Sequence, residues 1–422
     1  MANIVNMTLS EELNWRGFIN QTTLKDIKEL DNNQYVFYFG VDPSADSMQI
    51  GNLAMAMMVK HFINHGHKAF LLVGGATGQI GDPDGKAEER NLKDREVINA
   101  NKQAIAKQFD RLFKDKKYTL VDNNDWFKDI RYLDFLRNVG KHIPMRQMLS
   151  REFIESRLGS DGAGISYAEF SYVLIQAYDF LYLNQKYGVN LQLCGSDQWG
   201  NSIAGVDLIR RVANKRADVW SGPLIINLDT GVKFGKSENG AIWLDSNKTS
   251  PTDFYQFWVN VGDKSVEHYL KIYTELKKAD IDNIMKLHKL EPKQRKAQFV
   301  LADNVTAIVH GKEAASKANS LTKFITGELA IAEATEKELK ILRENLAYTK
   351  TSPNGSIIKA LLDSGLAESN NSARQLLKDK AVYINQKQVT SDTFKSENFQ
   401  NNRLILRRGK AYKDSALIEI SH

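Results

Sequence analysis

The chain has 422 residues, 42% of them apolar and 26% charged, with 57 basic against 51 acidic side chains and a formal net charge of +6. That length fits roughly two to four domains with a sizeable core and the near balance of charge argues against disorder, while 27 glycines and seven prolines exclude a collagenous or low-complexity chain. The one cysteine, Cys194, excludes a disulfide framework and a cysteine-rich zinc module; with no apolar signal core in MANIVNMTLSEELNWRG and no apolar run near the ~18 residues of a membrane span, the expectation is a cytoplasmic protein with no membrane partner.

Residues 35–42, YVFYFGVD, predict a buried strand rich in aromatic and β-branched residues. The Met- and Ala-rich segment Gly51–His65 predicts a helix closed by Gly66, and AFLLVGG at 69–75 a second buried strand. Strand, helix and strand with short joints make a βαβ unit, so the expected core is a Rossmann-like α/β domain with a parallel sheet and right-handed crossovers. Polar helical patterns over about 87–157 predict an inserted helical subdomain that interrupts this sheet. The run SYAEFSYVLIQAYDFLYL at 166–183 predicts a helix with an apolar face, VNLQLCG at 189–195 a strand, and residues 198–213 a helix. His65-Gly-His67 reads as a helix ending in water rather than a metal pair, and Cys194 as a small core residue.

The pattern is helical from Pro251 to about Ala330. Residues 331–350, full of Glu, Lys and Ala, predict a linker or a solvated helix. From Thr351, Ser-Pro-Asn-Gly, two short amphipathic helices and the strand-like AVYINQKQV predict a small α+β tail. The expected division is a catalytic domain at 1–250, a helical domain at 251–330, a linker at 331–350 and a tail at 351–422. The tail holds eleven Lys/Arg against seven Asp/Glu, two-thirds of the whole excess. That suits nucleic-acid contact and a solvated lysine-rich surface equally well.

Four segments carry candidate chemistry. Between Gly40 and Asn52 a strand ends, the chain turns and a helix begins. Its free N–H groups and positive dipole end suit a phosphate, and Gly40 and Gly51 would let backbone approach a nucleotide; a plain βα turn explains the same residues. The stretch Gly74–Lys86, followed by Arg90, exposes backbone at a second strand end. Lys86 and Arg90 add charge suited to a phosphoryl group under attack, although no Walker spacing is present. Lys233-Phe-Gly-Lys236-Ser237 is a basic glycine-containing loop able to close over a triphosphate. Tyr172, Gln176 and Asp179 share one face of a helix through spacings of four and three. Such a polar stripe either receives a small ligand or satisfies itself inside a core.

Taken jointly, these segments give a resemblance. The chain resembles the bacterial-type tyrosyl-tRNA synthetases, class I aminoacyl-tRNA synthetases, through YFGVDPSADSMQIGN at 38–52, GGATGQIGDPDGK at 74–86, YVLIQAYDF at 172–180, GSDQWGN at 195–201 and KFGKS at 233–237. GSDQWGN and the YxxxQAYD helix point to the tyrosine enzymes rather than their tryptophan relatives. The tail, marked by SARQLLKDKAVYIN at 372–385, resembles a small RNA-binding fold shared with a ribosomal protein and pseudouridine synthases.

The resemblance implies a tyrosine–tRNA ligase that works as a homodimer on tyrosine, tRNA(Tyr) and ATP, with Mg2+ accompanying the ATP and no permanently bound cofactor or metal. Tyr38 and Asp179 would hold the phenolic hydroxyl. Asp82, Tyr172 and Gln176 would hold the α-ammonium, with Gln198 lining the pocket. Gly40, Asp42, Gly51, Gly195 and Asp197 would contact adenosine. Gln49, Asn52, Lys86, Arg90, Lys233, Lys236 and Ser237 would stabilise the phosphates, Lys236 as part of the ATP site. In the tail, Arg374, Lys378 and Lys380 would contact RNA. Two departures stand out: Gln49 and Asn52 replace the histidines of the first class I signature, and Lys380 and Gln386 stand where the tail fold commonly has glycines. Gln49 also leaves an alternative, an RNA-binding paralogue with weakened or lost aminoacylation.

Overall fold

The structure is a computed structural model that describes residues 7–83, 92–149, 154, 157–158, 164–228, 231, 236–237, 240–409 and 414–421, with backbone alone at 146–147 and 236–237. These fall into two compact units, Met1–Asp245 with Gly262–Asn283, and Ser246–Val261 with Ile284–His422.

The first unit is built on strands β1 (Gln21–Thr22), β2 (Val36–Val41), β3 (Lys68–Val73), β4 (Tyr118–Asp122), β5 (Leu191–Gly195) and β6 (Asp218–Gly222). Their order is β1-β6-β5-β2-β3-β4, parallel except for β1 against β6. From β2 the chain winds outward through β3 and β4; from β5 it winds the opposite way. The order therefore reverses between β2 and β5, and the crevice beyond their carboxyl ends is where open α/β sheets receive ligands.

Helix Ile50–Asn64 follows β2, and ten of its fifteen residues are buried. Helix Tyr167–Tyr187 starts at Ser166, whose hydroxyl accepts the Glu169 N–H, and stops at Gly188 with φ 72°, where a side chain would be strained. Ala177, Phe180, Leu181 and Leu183 of that helix join Tyr38, Phe70 and Leu208 in one core. Two short strands, β7 (Lys236–Ser237) and β8 (Gly240–Ala241), form a separate antiparallel pair.

The expected insertion at 87–157 does not interrupt the sheet. Helix Arg95–Leu112 and β4 continue the winding, β4 pairing in parallel with β3. Its alternation is weak because β4 is an edge strand with partly exposed residues. His67 also departs from expectation: it is buried, its Nδ1 accepts the Tyr35 N–H at 3.1 Å, and burial pulls its pKa down to about 4. His65, by contrast, pairs with Glu12.

In the second unit, helices Pro251–Val259, Lys296–His310 and Lys312–Thr326 pack together. They adjoin a sheet of β9 (Ala347–Thr351), β10 (Val382–Ile384), β11 (Lys387–Val389), β12 (Arg403–Arg408) and β13 (Ser415–Ile420), in the order β11-β10-β12-β13-β9. The stretch 331–350 is not a free linker. It contains helix Glu336–Asn345, opened by a Thr335/Glu338 capping box, and most of β9, which pairs in parallel with β13. The sheet is buried on both faces. Leu404, Leu406 and Ile418 pack on helices Ile357–Asp363 and Asn370–Lys378, while Ile405 and Leu417 pack on Leu321, Phe324, Leu339 and Leu342. Division by contacts also assigns 262–283 to the first unit, so the span 251–330 is not one body.

Lys380 and Gln386 keep the turns despite lacking glycine's freedom. Lys380 lies at φ 55°, and Asn385 and Gln386 at 44° and 70° form the two-residue connection between Ile384 and Lys387. The Gln386 amide donates to the Ile325 carbonyl, which helps hold this left-handed pair. No helix among the described residues is long and apolar enough to cross a membrane.

Candidate active site

The crevice is built from the carboxyl ends of β2 to β5 and from helix Tyr167–Tyr187, which covers them. Tyr38 lies on β2 in register with Phe70 of β3 and Gln192 of β5, so the three side chains share one face. Tyr38 is 2% exposed, its ring 5.2 Å from Phe180. Its hydroxyl is buried without a hydrogen-bond partner, as are Gln176 Oε1 and Gln192 Oε1. Buried polar atoms in native cores are normally paired. Three orphans around one helix and strand end therefore mark a place prepared for a polar ligand.

Asp179, three residues after Gln176, is buried and holds two donors: Asn123 Nδ2 at 3.1 Å and Trp126 Nε1 at 2.9 Å. Burial pushes its pKa well above the usual aspartate range, and the two donors oppose that shift. Burial, then the charge on Asp179, raises the Tyr38 phenol. Tyr172 donates to Asp42 Oδ2 at 2.6 Å, and Thr77 donates to Asp42 Oδ1 at 2.6 Å. Asp82 accepts from Gln198 Nε2 at 2.5 Å, and Gln198 Oε1 accepts from Asn201 at 3.1 Å. Six of the expected residues, Tyr38, Asp82, Tyr172, Gln176, Asp179 and Gln198, thus line the crevice together with Asp42.

The glycines show what the fold needs and what it does not. A Cβ on Gly74 would come within 2.1 Å of Asp42 Oδ1, so this turn must be glycine to bring Thr77 onto Asp42. A Cβ on Gly40 would meet nothing closer than 3.5 Å, and one on Gly51 nothing within 4 Å. Packing within the chain does not account for either. At Gly195 a Cβ would strike Asp197, which is itself exposed at the mouth of the crevice.

Gln49 is the N-cap of helix Ile50–Asn64, and Asn52 Oδ1 accepts its backbone N–H at 3.0 Å. The strand-like backbone at Met48–Ile50 pairs with residues 242–244: Ile50 N–H donates to Ile242 at 3.2 Å and Leu244 N–H to Met48 at 2.9 Å. This pairing sets the exit of the β7–β8 pair, which carries Lys236 and Ser237 on β7, directly beside Gln49. Lys86, Arg90 and Lys233 lie outside the described residues. Arg374, Lys378 and Lys380 are all exposed, along and just after helix Asn370–Lys378.

Sequence reasoning missed Thr77, Asn123, Trp126 and Gln192. Asn123 links two walls: its Oδ1 accepts the Ala76 N–H at 2.6 Å, and its amide donates to Thr77 and Asp179. Asp122 beside it accepts from Gly75 N–H and Lys102 Nζ. Asp122 ends β4, the strand hidden within the expected insertion, and Asn123 and Trp126 follow it. Gln192 had a visible signal, an amide within an otherwise apolar strand.

The chain has known relatives. The family model described as tRNA synthetases class I (W and Y) matches residues 30–325, and the tyrosine–tRNA ligase SYY-like C-terminal domain matches 338–413. The chain is 42% identical over 416 residues to a tyrosine–tRNA ligase of Streptococcus mutans serotype c, across 96% of this chain and 98% of the relative. It is 42% identical over 413 residues to that of Staphylococcus haemolyticus, across 95% and 97%. Among solved structures, a C-terminally truncated Aspergillus nidulans mitochondrial tyrosyl-tRNA synthetase superposes with a TM-score of 0.68 at 30% identity, over 75% of this chain and 94% of that one.

Proposed function

The chain belongs to the tyrosine–tRNA ligases among the class I tRNA synthetases, and from that membership we propose how its residues divide the work. The reaction has two steps. The tyrosine carboxylate attacks the α-phosphate of ATP, giving tyrosyl-adenylate and pyrophosphate. A ribose hydroxyl at the 3′ end of tRNA(Tyr) then takes the tyrosyl group and AMP leaves. Mg2+ enters with ATP as part of the substrate. Neither step requires a protein nucleophile; positioning and charge stabilisation suffice.

Tyr38 and Asp179 receive the phenolic hydroxyl, Tyr38 donating and the Asp179 carboxylate accepting. Asp82, Tyr172 and Gln176 hold the α-ammonium, beside Gln198. Gly40, Asp42, Gly51, Gly195 and Asp197 take the adenosine across the crevice between β2 and β5. Gln49, Asn52, Lys86, Arg90, Lys233, Lys236 and Ser237 stabilise the phosphates, beside the positive end of helix Ile50–Asn64. The observation that carries the tyrosine assignment is the partnerless buried hydroxyl of Tyr38 next to an aspartate already supplied with donors.

Arg374, Lys378 and Lys380 contact tRNA phosphates. A second basic surface rims a cavity of about 680 Å3 lined by Lys293, Lys296, Phe299 and Lys323. The chain functions as a cytoplasmic homodimer. What supports a second copy is the exposed apolar set Tyr132, Leu133, Met145, Leu158 and Tyr167, with exposures from 53% to 75%. Tyrosine-dependent ATP–pyrophosphate exchange tests the whole reading. Its absence, with tRNA binding retained, would favour the RNA-binding paralogue.

A further inference from the structure

Asp179 discriminates the substrate only if its carboxylate stays fixed and charged within a buried site. One of its two donors, the Trp126 indole, comes from a short turn after an edge strand rather than from the helix that carries Asp179. Among the described residues, the other side-chain bond to Asp179 comes from Asn123. What fixes the plane of the indole therefore decides where its N–H points. The Tyr182 ring stacks on Trp126 with centroids 4.6 Å apart and planes 18° from parallel. Tyr182 lies one helical turn beyond Asp179, three residues on, so a single helix presents both the acceptor and the ring that aims its donor. Tyr182 is half-buried, and its hydroxyl faces outward to accept from Lys186 Nζ at 2.8 Å.

We propose that Tyr182 is a positioning residue for tyrosine specificity: its ring clamps the Trp126 indole so that Nε1 stays on Asp179. This rests on the assignment of Asp179 and Tyr38 to the phenolic hydroxyl. The neighbouring ring cluster behaves differently. Phe127, Phe135 and Tyr178 pack edge to face with one another, and Tyr178 meets Tyr182 only at 6.3 Å with a tilted plane. Of these rings only Tyr182 lies parallel to Trp126. Its contribution is the ring face and not the hydroxyl, because the hydroxyl is spent on Lys186 at the surface.

The test compares Tyr182→Ala, Tyr182→Leu and Tyr182→Phe with the natural chain in pyrophosphate exchange, using tyrosine and phenylalanine, with Tyr38→Phe alongside. Stacking of this kind is worth enough to shift an affinity by about fivefold to tenfold. Tyr182→Ala and Tyr182→Leu should raise the tyrosine KM by about that factor and lower the tyrosine/phenylalanine ratio of kcat/KM, with the ATP KM unchanged. Tyr182→Phe should restore both to within about twofold, since it keeps the stacked face. Restoration by Tyr182→Leu as complete as by Tyr182→Phe would show that bulk alone matters and overturn the inference. An unaltered ratio in Tyr182→Ala would overturn it too, provided Tyr38→Phe lowers the ratio. If Tyr38→Phe also left the ratio unaltered, the pocket assignment itself would fall and this inference with it.

Discussion

Tyr172 and Asp42, 130 residues apart in sequence, are joined by a 2.6 Å hydrogen bond from the phenol to the carboxylate. The bond connects a residue assigned to the tyrosine ammonium with one assigned to adenosine. Burial, then the Asp42 charge, raises the Tyr172 phenol, which therefore remains a donor at any working pH. Tyr172→Phe should consequently affect both substrates. The expected outcome in pyrophosphate exchange is a rise of about threefold to tenfold in the tyrosine KM with a smaller rise in the ATP KM, as for loss of one ordinary hydrogen bond. An ATP KM identical to that of the natural chain would separate the two sites.

Tyr38→Phe should leave tyrosine binding modestly weakened and relax discrimination against phenylalanine, because the buried hydroxyl has no other partner. The companion prediction concerns pH. Tyrosine binding uses the Asp179 carboxylate, and its raised pKa means that this form is lost at a higher pH than for an ordinary aspartate near 4. Lowering the pH should therefore raise the tyrosine KM, beginning above that range. Asp42, Asp122, Tyr38, Tyr172 and Tyr178 are the titratable groups around Asp179. The three phenols Tyr38, Tyr172 and Tyr178 are raised and remain neutral through this window, so a tyrosine KM measured from pH 5 to 8 follows the Asp179 carboxylate.

Gly51→Ala separates fold from function. A Cβ there meets nothing within 4 Å, and alanine is the better helix former. The variant should be as stable as the natural chain or more so by up to ~1 kcal/mol in denaturant unfolding. If adenosine approaches this backbone, the ATP KM should nevertheless rise severalfold. An unchanged ATP KM would remove Gly51 from the nucleotide site.

Gln49 offers an amide donor where the first signature usually has histidine. Gln49→Ala should cost about 1–3 kcal/mol of transition-state stabilisation, as for one preorganised donor. Gln49→His should change the rate of adenylate formation only modestly, since a neutral donor of similar reach is exchanged for another. Single-turnover adenylate formation measures both. No activity in the natural chain, restored by Gln49→His, would favour the RNA-binding paralogue.

The exposed tail cations should matter for tRNA alone. Replacing Arg374, Lys378 and Lys380 together by alanine should leave pyrophosphate exchange intact, weaken tRNA charging and flatten its dependence on salt by roughly 0.7–0.9 in logarithmic slope per lost contact. Cutting the chain near Thr351 is a poorer test. It strands β9 without β13 and uncovers Leu321, Phe324, Leu339 and Leu342, which Ile405 and Leu417 otherwise cover.

What the sequence determined by itself was short-range. The β2–helix–β3 unit, the helix at 167–187 and the stripe of Tyr172, Gln176 and Asp179 follow from apolar periodicity and from caps such as Ser166 and Gly188, all set within a few residues of each other. Tertiary structure alone decided which strand ends lie side by side, because that order depends on which faces the crossovers bury and leaves no local pattern. β4, weakly alternating at the edge, became part of the sheet and delivered Asn123 and Trp126 to Asp179. The polar stretch at 331–350 became a helix and strand because Leu339 and Leu342 had an apolar sheet face to cover. The partners of Asp42 and Asp179 arise in the same way: a buried carboxylate takes whichever donors the assembled strand ends bring within reach.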